Sequence, residues 1–143
     1  MNEVFARIAE VGSKTERFPN CGYLYQNFDE LVSLLEPLNS EDLPPVVIRG
    51  LICLIQDLAS ESICNSFASA DWMRYSARSF YCADHLVKYL PENRQESVYS
   101  YLNGIFAELM DSGVAPVIEK EVFDKYAKMP LTDDDSLKVY DEL

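Results

Sequence analysis

The sequence predicts an all-α protein, a compact bundle of about five to seven helices. Apolar residues recur at spacings of three and four along almost the whole chain, and the alternating pattern of β-strands is missing. With 143 residues, 48% of them hydrophobic, the chain can bury a core without metals or disulfides. We therefore expect one helical domain over residues 1–130, followed by an acidic C-terminal tail over residues 131–143.

The first two predicted helices are short. Apolar residues between Val4 and Val11 predict the first helix, which Gly12 is expected to end. Asn27 is a suitable N-cap for the second helix, and Pro37 marks its exit. The apolar side chains expected on the buried face of this second helix are Phe28, Leu31, Val32, Leu34, Leu35 and Leu38.

The third predicted helix starts at the pair Pro44 and Pro45, because proline is tolerated only in the first turn of a helix. Up to Leu58 it is apolar on nearly every side, which is typical of a helix in the middle of a bundle. Gly50 is expected to let a neighbouring helix approach closely. A separate short helical segment is expected around Ile63.

Three further helices are predicted in the second half of the chain. Ser69 or Asp71 caps the fourth, Pro91 separates it from the fifth, and Gly113 follows the end of the fifth. The last runs from about residue 116 to residue 129. The inward side chains expected on the fourth helix are Trp72, Tyr75, Ser79, Cys82, Ala83, Leu86, Val87 and Leu90. Those of the fifth helix are Val98, Tyr101, Leu102, Ile105, Phe106, Leu109 and Met110. Those of the last helix are Val117, Ile118, Val122 and Tyr126. Pro37 and Pro91 each separate two predicted helices, as in a helical hairpin. An irregular helical-repeat packing is therefore the alternative to a compact bundle.

The charge of the chain is the most informative feature for function. Asp and Glu number 24 against 12 Lys and Arg, a net charge of −12, which disfavours direct binding to nucleic-acid phosphates or anionic membranes. Between Phe18 and Asp71 the only basic residue is Arg49. Carboxylates can steer a basic partner, and tyrosines can supply desolvated contact area. The predicted partner-binding residues are Tyr23, Tyr25, Asp29, Glu30, Glu36, Glu41 and Asp42.

A mildly basic face is predicted on the fourth helix. Its residues follow one another at spacings of four and three, which places them on one side of a helix: Arg74, Arg78, Tyr81, His85 and Lys88. Three interpretations are open: a solvated face, an intramolecular partner for the acidic tail, or a recognition patch for a ligand anion.

No pattern of residues predicts catalysis. His85 is the only histidine, and the side chain of nearby Cys82 is expected to point away from it, towards the core. Phosphate-binding loops, zinc motifs and nucleophile elbows are absent from the sequence. We therefore predict that the protein is not an enzyme and uses no metal or cofactor. The first residues lack the pattern of a secretory leader, so a cytoplasmic location is expected.

In size, acidity and helical character the chain is similar to bacterial immunity proteins, which neutralise cationic toxin domains. This similarity implies an acidic inhibitor that blocks a toxic nuclease-like domain. Two alternatives are a nucleic-acid mimic, such as a phage inhibitor of a defence complex, and a helical adaptor or regulatory subunit. The mimic would compete with DNA or RNA for several basic proteins, whereas the adaptor would use an apolar interface that survives high salt.

Overall fold

The computed structural model of the protein describes residues 3–14, 28–64, 70–111, 113–114 and 117–128. These residues form α1 (Glu3–Lys14), α2 (Phe28–Leu35), one turn of 3-10 helix (Ser40–Asp42), α3 (Pro45–Cys64), α4 (Ala70–Val87), α5 (Glu92–Asp111) and α6 (Lys120–Ala127). No strand occurs within these ranges, and the prediction of an all-α bundle is confirmed. The predicted tail over 131–143 lies outside the described residues.

α3 is the central helix of the bundle, as its sequence predicts. It contacts α1, α4 and α5, and every residue from Gly50 to Ala59 is buried. Apart from Gln56 and Asp57, this stretch is apolar on every side, so burying it requires neighbouring helices around it. The helices α1, α4 and α5 are therefore arranged around α3.

Two glycines allow α1 and α3 to pack closely. A Cβ atom added to Gly50 would overlap the carbonyl oxygen of Ile8, and one added to Gly12 would overlap that of Val46. The expected role of Gly50 is thus confirmed. The prediction that Gly12 ends the first helix is wrong, because α1 continues to Lys14 and Gly12 serves the contact with α3 instead.

Other helix boundaries also differ from the predictions. The separate segment expected around Ile63 is part of α3, which continues without a break to Cys64. No glycine or proline interrupts its last three turns. Near this end, Ser60 Oγ lies 3.0 Å from Tyr101 Oη of α5. α6 begins only at Lys120. Three side chains expected in the core are instead largely exposed: Leu38 and Met110 at 46% each and Val117 at 45%.

The end of α5 is confirmed at the predicted glycine. Gly113 has a φ of 84°, a left-handed conformation that glycine adopts without steric cost. The N–H of Gly113 donates to the carbonyl of Met110 at 3.2 Å, and the N–H of Val114 donates to that of Leu109 at 3.0 Å. This pair of hydrogen bonds is a Schellman motif, and the buried side chain of Val114 completes it.

Candidate partner-binding surface

Residues 28–43, which we call the acidic segment, carry all five carboxylates predicted to bind a partner. On α2 the side chains of Phe28, Leu31 and Leu35 are buried, so the opposite side of this short helix faces outwards. Asp29 and Glu30 lie in its first turn, where negative charge is favourable next to the helix N-terminus, and both are exposed.

The 3-10 turn fixes the second pair of carboxylates. Asn39 Oδ1 accepts a hydrogen bond from the N–H of Glu41 at 3.1 Å, and the N–H of Leu43 donates to the carbonyl of Ser40 at 3.3 Å. Because the side chain of Leu43 is anchored in the core, Glu41 and Asp42 are held at the surface, where both are exposed.

The structure assigns different surroundings to four of these carboxylates. Asp29 and Asp42 form no ion pair with any basic side chain in the described part of the chain. Glu36 is exposed and accepts a hydrogen bond from Tyr89 Oη. Glu41 lines a surface cleft together with two arginines. Tyr23 and Tyr25, the predicted anchors, lie outside the described residues.

The predicted basic face of α4 lies next to the acidic segment. Arg74, Arg78 and Lys88 are exposed, and His85 is half-buried. Phe28 of α2 reaches this face, with its ring centroid 5.7 Å from that of His85 and 5.9 Å from the Arg78 guanidinium carbon. Part of the basic face is therefore covered by α2.

Aromatic rings surround the cationic groups of this face. The guanidinium carbon of Arg78 lies 5.3 Å from the ring centroid of Tyr81, and Lys88 Nζ lies 5.1 Å from that of Tyr89. Both distances fall within the range of cation–π attraction. These contacts hold the cations along the helix surface.

His85 is held in its neutral form by this environment. Its ring contacts those of Tyr81 and Tyr89 at centroid distances of 6.0 and 5.8 Å. Burial, and after it the positive charge of Lys88, lowers the pKa of His85 below its ordinary value, although the carboxylates of Asp84 and Glu36 act in the opposite direction. His85 is therefore an uncharged member of this predominantly basic face at neutral pH.

The neighbouring Cys82 is buried inside the bundle. Burial raises the pKa of the Cys82 thiol to about 11, and the pKa of Cys53 is raised to the same value for the same main reason. A thiol with such a pKa is protonated at neutral pH and is a poor nucleophile. The described residues also contain no group of three His, Cys, Asp or Glu side chains that could hold a metal ion.

A second cluster, centred on Asp84 of α4, was missed by sequence reasoning. Asp84 Oδ1 accepts hydrogen bonds from Lys125 Nζ at 2.9 Å and from Tyr126 Oη at 2.6 Å. Lys125 Nζ also lies 3.6 Å from the ring centroid of Tyr99. No sequence signal links these residues, because Asp84 and Lys125 are 41 positions apart and meet only through helix packing. We call this group the Asp84 cluster.

The Asp84 cluster joins α6 to the core. Tyr126 is only 2% exposed, and its ring lies 5.4 Å from the rings of both Phe80 and Phe106, measured between centroids. Burial, reinforced by the carboxylate of Asp84, raises the pKa of Tyr126 above its ordinary value. The cluster thus has the character of a structural contact.

Comparison of the chain with protein-family models, with curated proteins and with solved structures finds no match. Within the described residues, no helix combines the length and the apolar character needed to cross a membrane. The functional interpretation therefore depends on the charges and contacts of the chain itself.

Proposed function

We propose that this protein binds and neutralises a basic protein partner through the carboxylates of the acidic segment. The observation that carries the proposal is the exposure of Asp29, Glu30, Glu41 and Asp42 along a stretch of chain without a single Lys or Arg. Asp29 and Asp42 form no ion pair within the described residues, so this surface presents negative charge to a partner. Such charge raises the rate at which an oppositely charged protein associates by about 10- to 1,000-fold.

The acidic segment also offers apolar contact area. Leu38 lies between Glu36 and Glu41 in sequence and is 46% exposed, and the adjacent Pro37 is exposed as well. In protein complexes, desolvated apolar side chains surrounded by charged groups supply much of the lifetime, whereas the charges supply the rate and the orientation. Leu38 is therefore the described side chain best suited to anchor a partner on this surface.

The most specific form of the proposal is an immunity protein that covers the nucleic-acid-binding cleft of a toxic nuclease. Such a cleft is lined by Lys and Arg, because its substrate is a polyanion. A row of carboxylates is complementary to it. In this role the protein would act in the cytoplasm, as an inhibitor and not as an enzyme.

The proposal is tested with two variants of equal charge. The first carries Asp29→Asn, Glu30→Gln, Glu41→Gln and Asp42→Asn. The control neutralises four exposed carboxylates of α5 and α6, which are Glu96→Gln, Glu108→Gln, Glu121→Gln and Asp124→Asn. Wild type and both variants are immobilised, exposed to lysate of the native cells, and eluted with rising salt.

We expect one basic protein to be retained by the wild type and the control and lost from the acidic-segment variant. The captured protein is then assayed for nuclease activity with and without its inhibitor. Equal retention by all three proteins would show that the acidic segment is not the binding surface. Capture of several unrelated nucleic-acid-binding proteins that added DNA displaces would instead identify a nucleic-acid mimic.

A further inference from the structure

A cleft of about 310 Å³ lies where α3 and α5 begin. Its polar lining consists of Arg49, Arg94, Asn93 and Glu41, and Pro45 and Pro91 form part of its apolar wall. The volume lies at the small end of the range of ligand pockets, and the mixture of apolar walls with a few convergent polar groups is typical of such sites. Glu41 belongs both to this cleft and to the acidic segment.

The two arginines come from different helices and converge on the cleft. Arg49 lies in the second turn of α3, and its Nε donates to the carbonyl oxygen of Gly12 at 3.0 Å, which fixes the direction of the side chain. Arg94 lies in the first turn of α5. Both side chains are half-buried. Guanidinium groups bind phosphate and carboxylate oxygens through pairs of hydrogen bonds, and partial burial strengthens the attraction.

The backbone adds to the positive character of this cleft. The first N–H of α3 belongs to Val46, because neither Pro44 nor Pro45 has one, and α5 begins directly after Pro91. The N-terminal end of a helix carries about half of a positive charge. The lining of the cleft therefore holds two guanidinium groups and one carboxylate, that of Glu41, beside the first turns of the two helices.

We propose that this cleft binds a small phosphate monoester. Arg49 and Arg94 hold the phosphate from two sides, which suits a tetrahedral group with several acceptor oxygens. Glu41, held at the edge of the cleft by the 3-10 turn, accepts a hydrogen bond from a hydroxyl group on the same ligand. The protein would thereby combine a ligand site with its acidic surface, and this inference does not depend on the proposed basic partner.

The test is a titration of the whole ¹⁵N-labelled protein with inorganic phosphate and with glycerol phosphate at constant ionic strength, followed by NMR. We expect saturable shifts of the amide signals of Val46, Asn93 and Arg94, with glycerol phosphate binding more tightly than phosphate. Arg94→Gln should lower the affinity for both ligands about tenfold, because it removes a charge-assisted pair of hydrogen bonds. Arg49 is left unchanged, since its contact with Gly12 also supports the fold.

Two further variants make the test specific. Glu41→Gln removes a negative charge from the cleft and should raise the affinity for inorganic phosphate. It should also reduce the ratio of the affinity for glycerol phosphate to that for inorganic phosphate, because the carboxylate that accepts from the ligand hydroxyl is lost. Arg74→Gln removes an exposed charge on α4, about 20 Å along that helix from the end that leads to Pro91, and should change nothing. Shifts that do not saturate, or equal weakening by Arg94→Gln and Arg74→Gln, would overturn the proposal.

Discussion

Two tyrosine–carboxylate hydrogen bonds, Tyr126 to Asp84 and Tyr89 to Glu36, lie in different surroundings. Tyr126 donates to Asp84 inside the bundle. Tyr126 is 2% exposed, and the side chain of Asp84 is 14% exposed. Tyr89 donates to Glu36 at the surface, next to Lys88 and His85. The same pair of chemical groups thus serves packing at one place and is accessible to a partner at the other.

Burial explains this difference. A buried carboxylate that loses its donors retains an unsolvated charge, whereas an exposed one exchanges its donor for water at little cost. We therefore expect the Asp84 cluster to contribute to stability and the acidic segment to contribute to binding.

The largest effect is expected for removal of the Asp84 carboxylate, whose side chain is only 14% exposed. Asp84→Ala leaves Lys125 Nζ and Tyr126 Oη without their acceptor and should lower the free energy of unfolding by about 3 kcal/mol. Glu36→Ala should cost less than about 1 kcal/mol, because the carboxylate is exposed. Urea unfolding of both variants measures the difference. Equal losses would show that burial does not separate the two sites.

A smaller effect of the same kind is expected for the two hydroxyl groups. Tyr126→Phe keeps the buried ring but removes the donor to Asp84, and should cost about 1.5 kcal/mol. Tyr89→Phe should change stability by less than about 0.5 kcal/mol. Thermal unfolding of the two variants measures this difference in stability. A greater loss of stability for Tyr89→Phe than for Tyr126→Phe would contradict the structural role given to the Tyr126 hydrogen bond.

Alkaline pH should weaken the buried contact. Burial raises the pKa of Tyr126 above its ordinary value of 10.0, and burial with the Glu36 hydrogen bond raises the pKa of Tyr89 to about 12. The folded state then keeps protons that the unfolded chain releases, so stability is lost as the pH rises above 10.0. The difference in stability between wild type and Tyr126→Phe should narrow in this range. A constant difference would contradict the raised pKa.

The smallest effect is expected at His85. Its pKa is lowered mainly by burial, so the folded state disfavours the charged form, and stability should fall as the pH drops below the ordinary value of 6.5. His85→Gln should flatten the stability profile on the acidic side. Unfolding of both proteins at about pH 7.5 and about pH 5.5 checks this. A wild type that becomes more stable on acidification relative to the variant would refute it.

The sequence predicts well what depends on neighbouring residues. Proline at position 45, glycine at position 113 and the apolar run of α3 each have a local cause, and the structure confirms all three. Gly12 was assigned wrongly because its role depends on α3, which is distant in sequence. The early start expected for the last helix was also wrong, since Val117 and Glu119 lie before the first residue of α6, Lys120.

The candidate sites show the same limit. The exposed carboxylates of the acidic segment could be found from composition, because charge is almost always at the surface. The Asp84 cluster and the cleft between Arg49 and Arg94 could not, because their members meet only after the helices pack. Tertiary contacts of this kind leave no periodic signal in a single sequence.

The most direct test of the central claim is the rate at which the captured basic partner associates with the protein at several salt concentrations. Stopped-flow measurements would compare the wild type with the acidic-segment variant and the control variant of equal charge. We expect the acidic-segment variant alone to lose most of its association rate at low salt and most of its salt dependence. Equal slowing of the two variants would mean that only the net charge matters, and the acidic segment would then not be the binding surface.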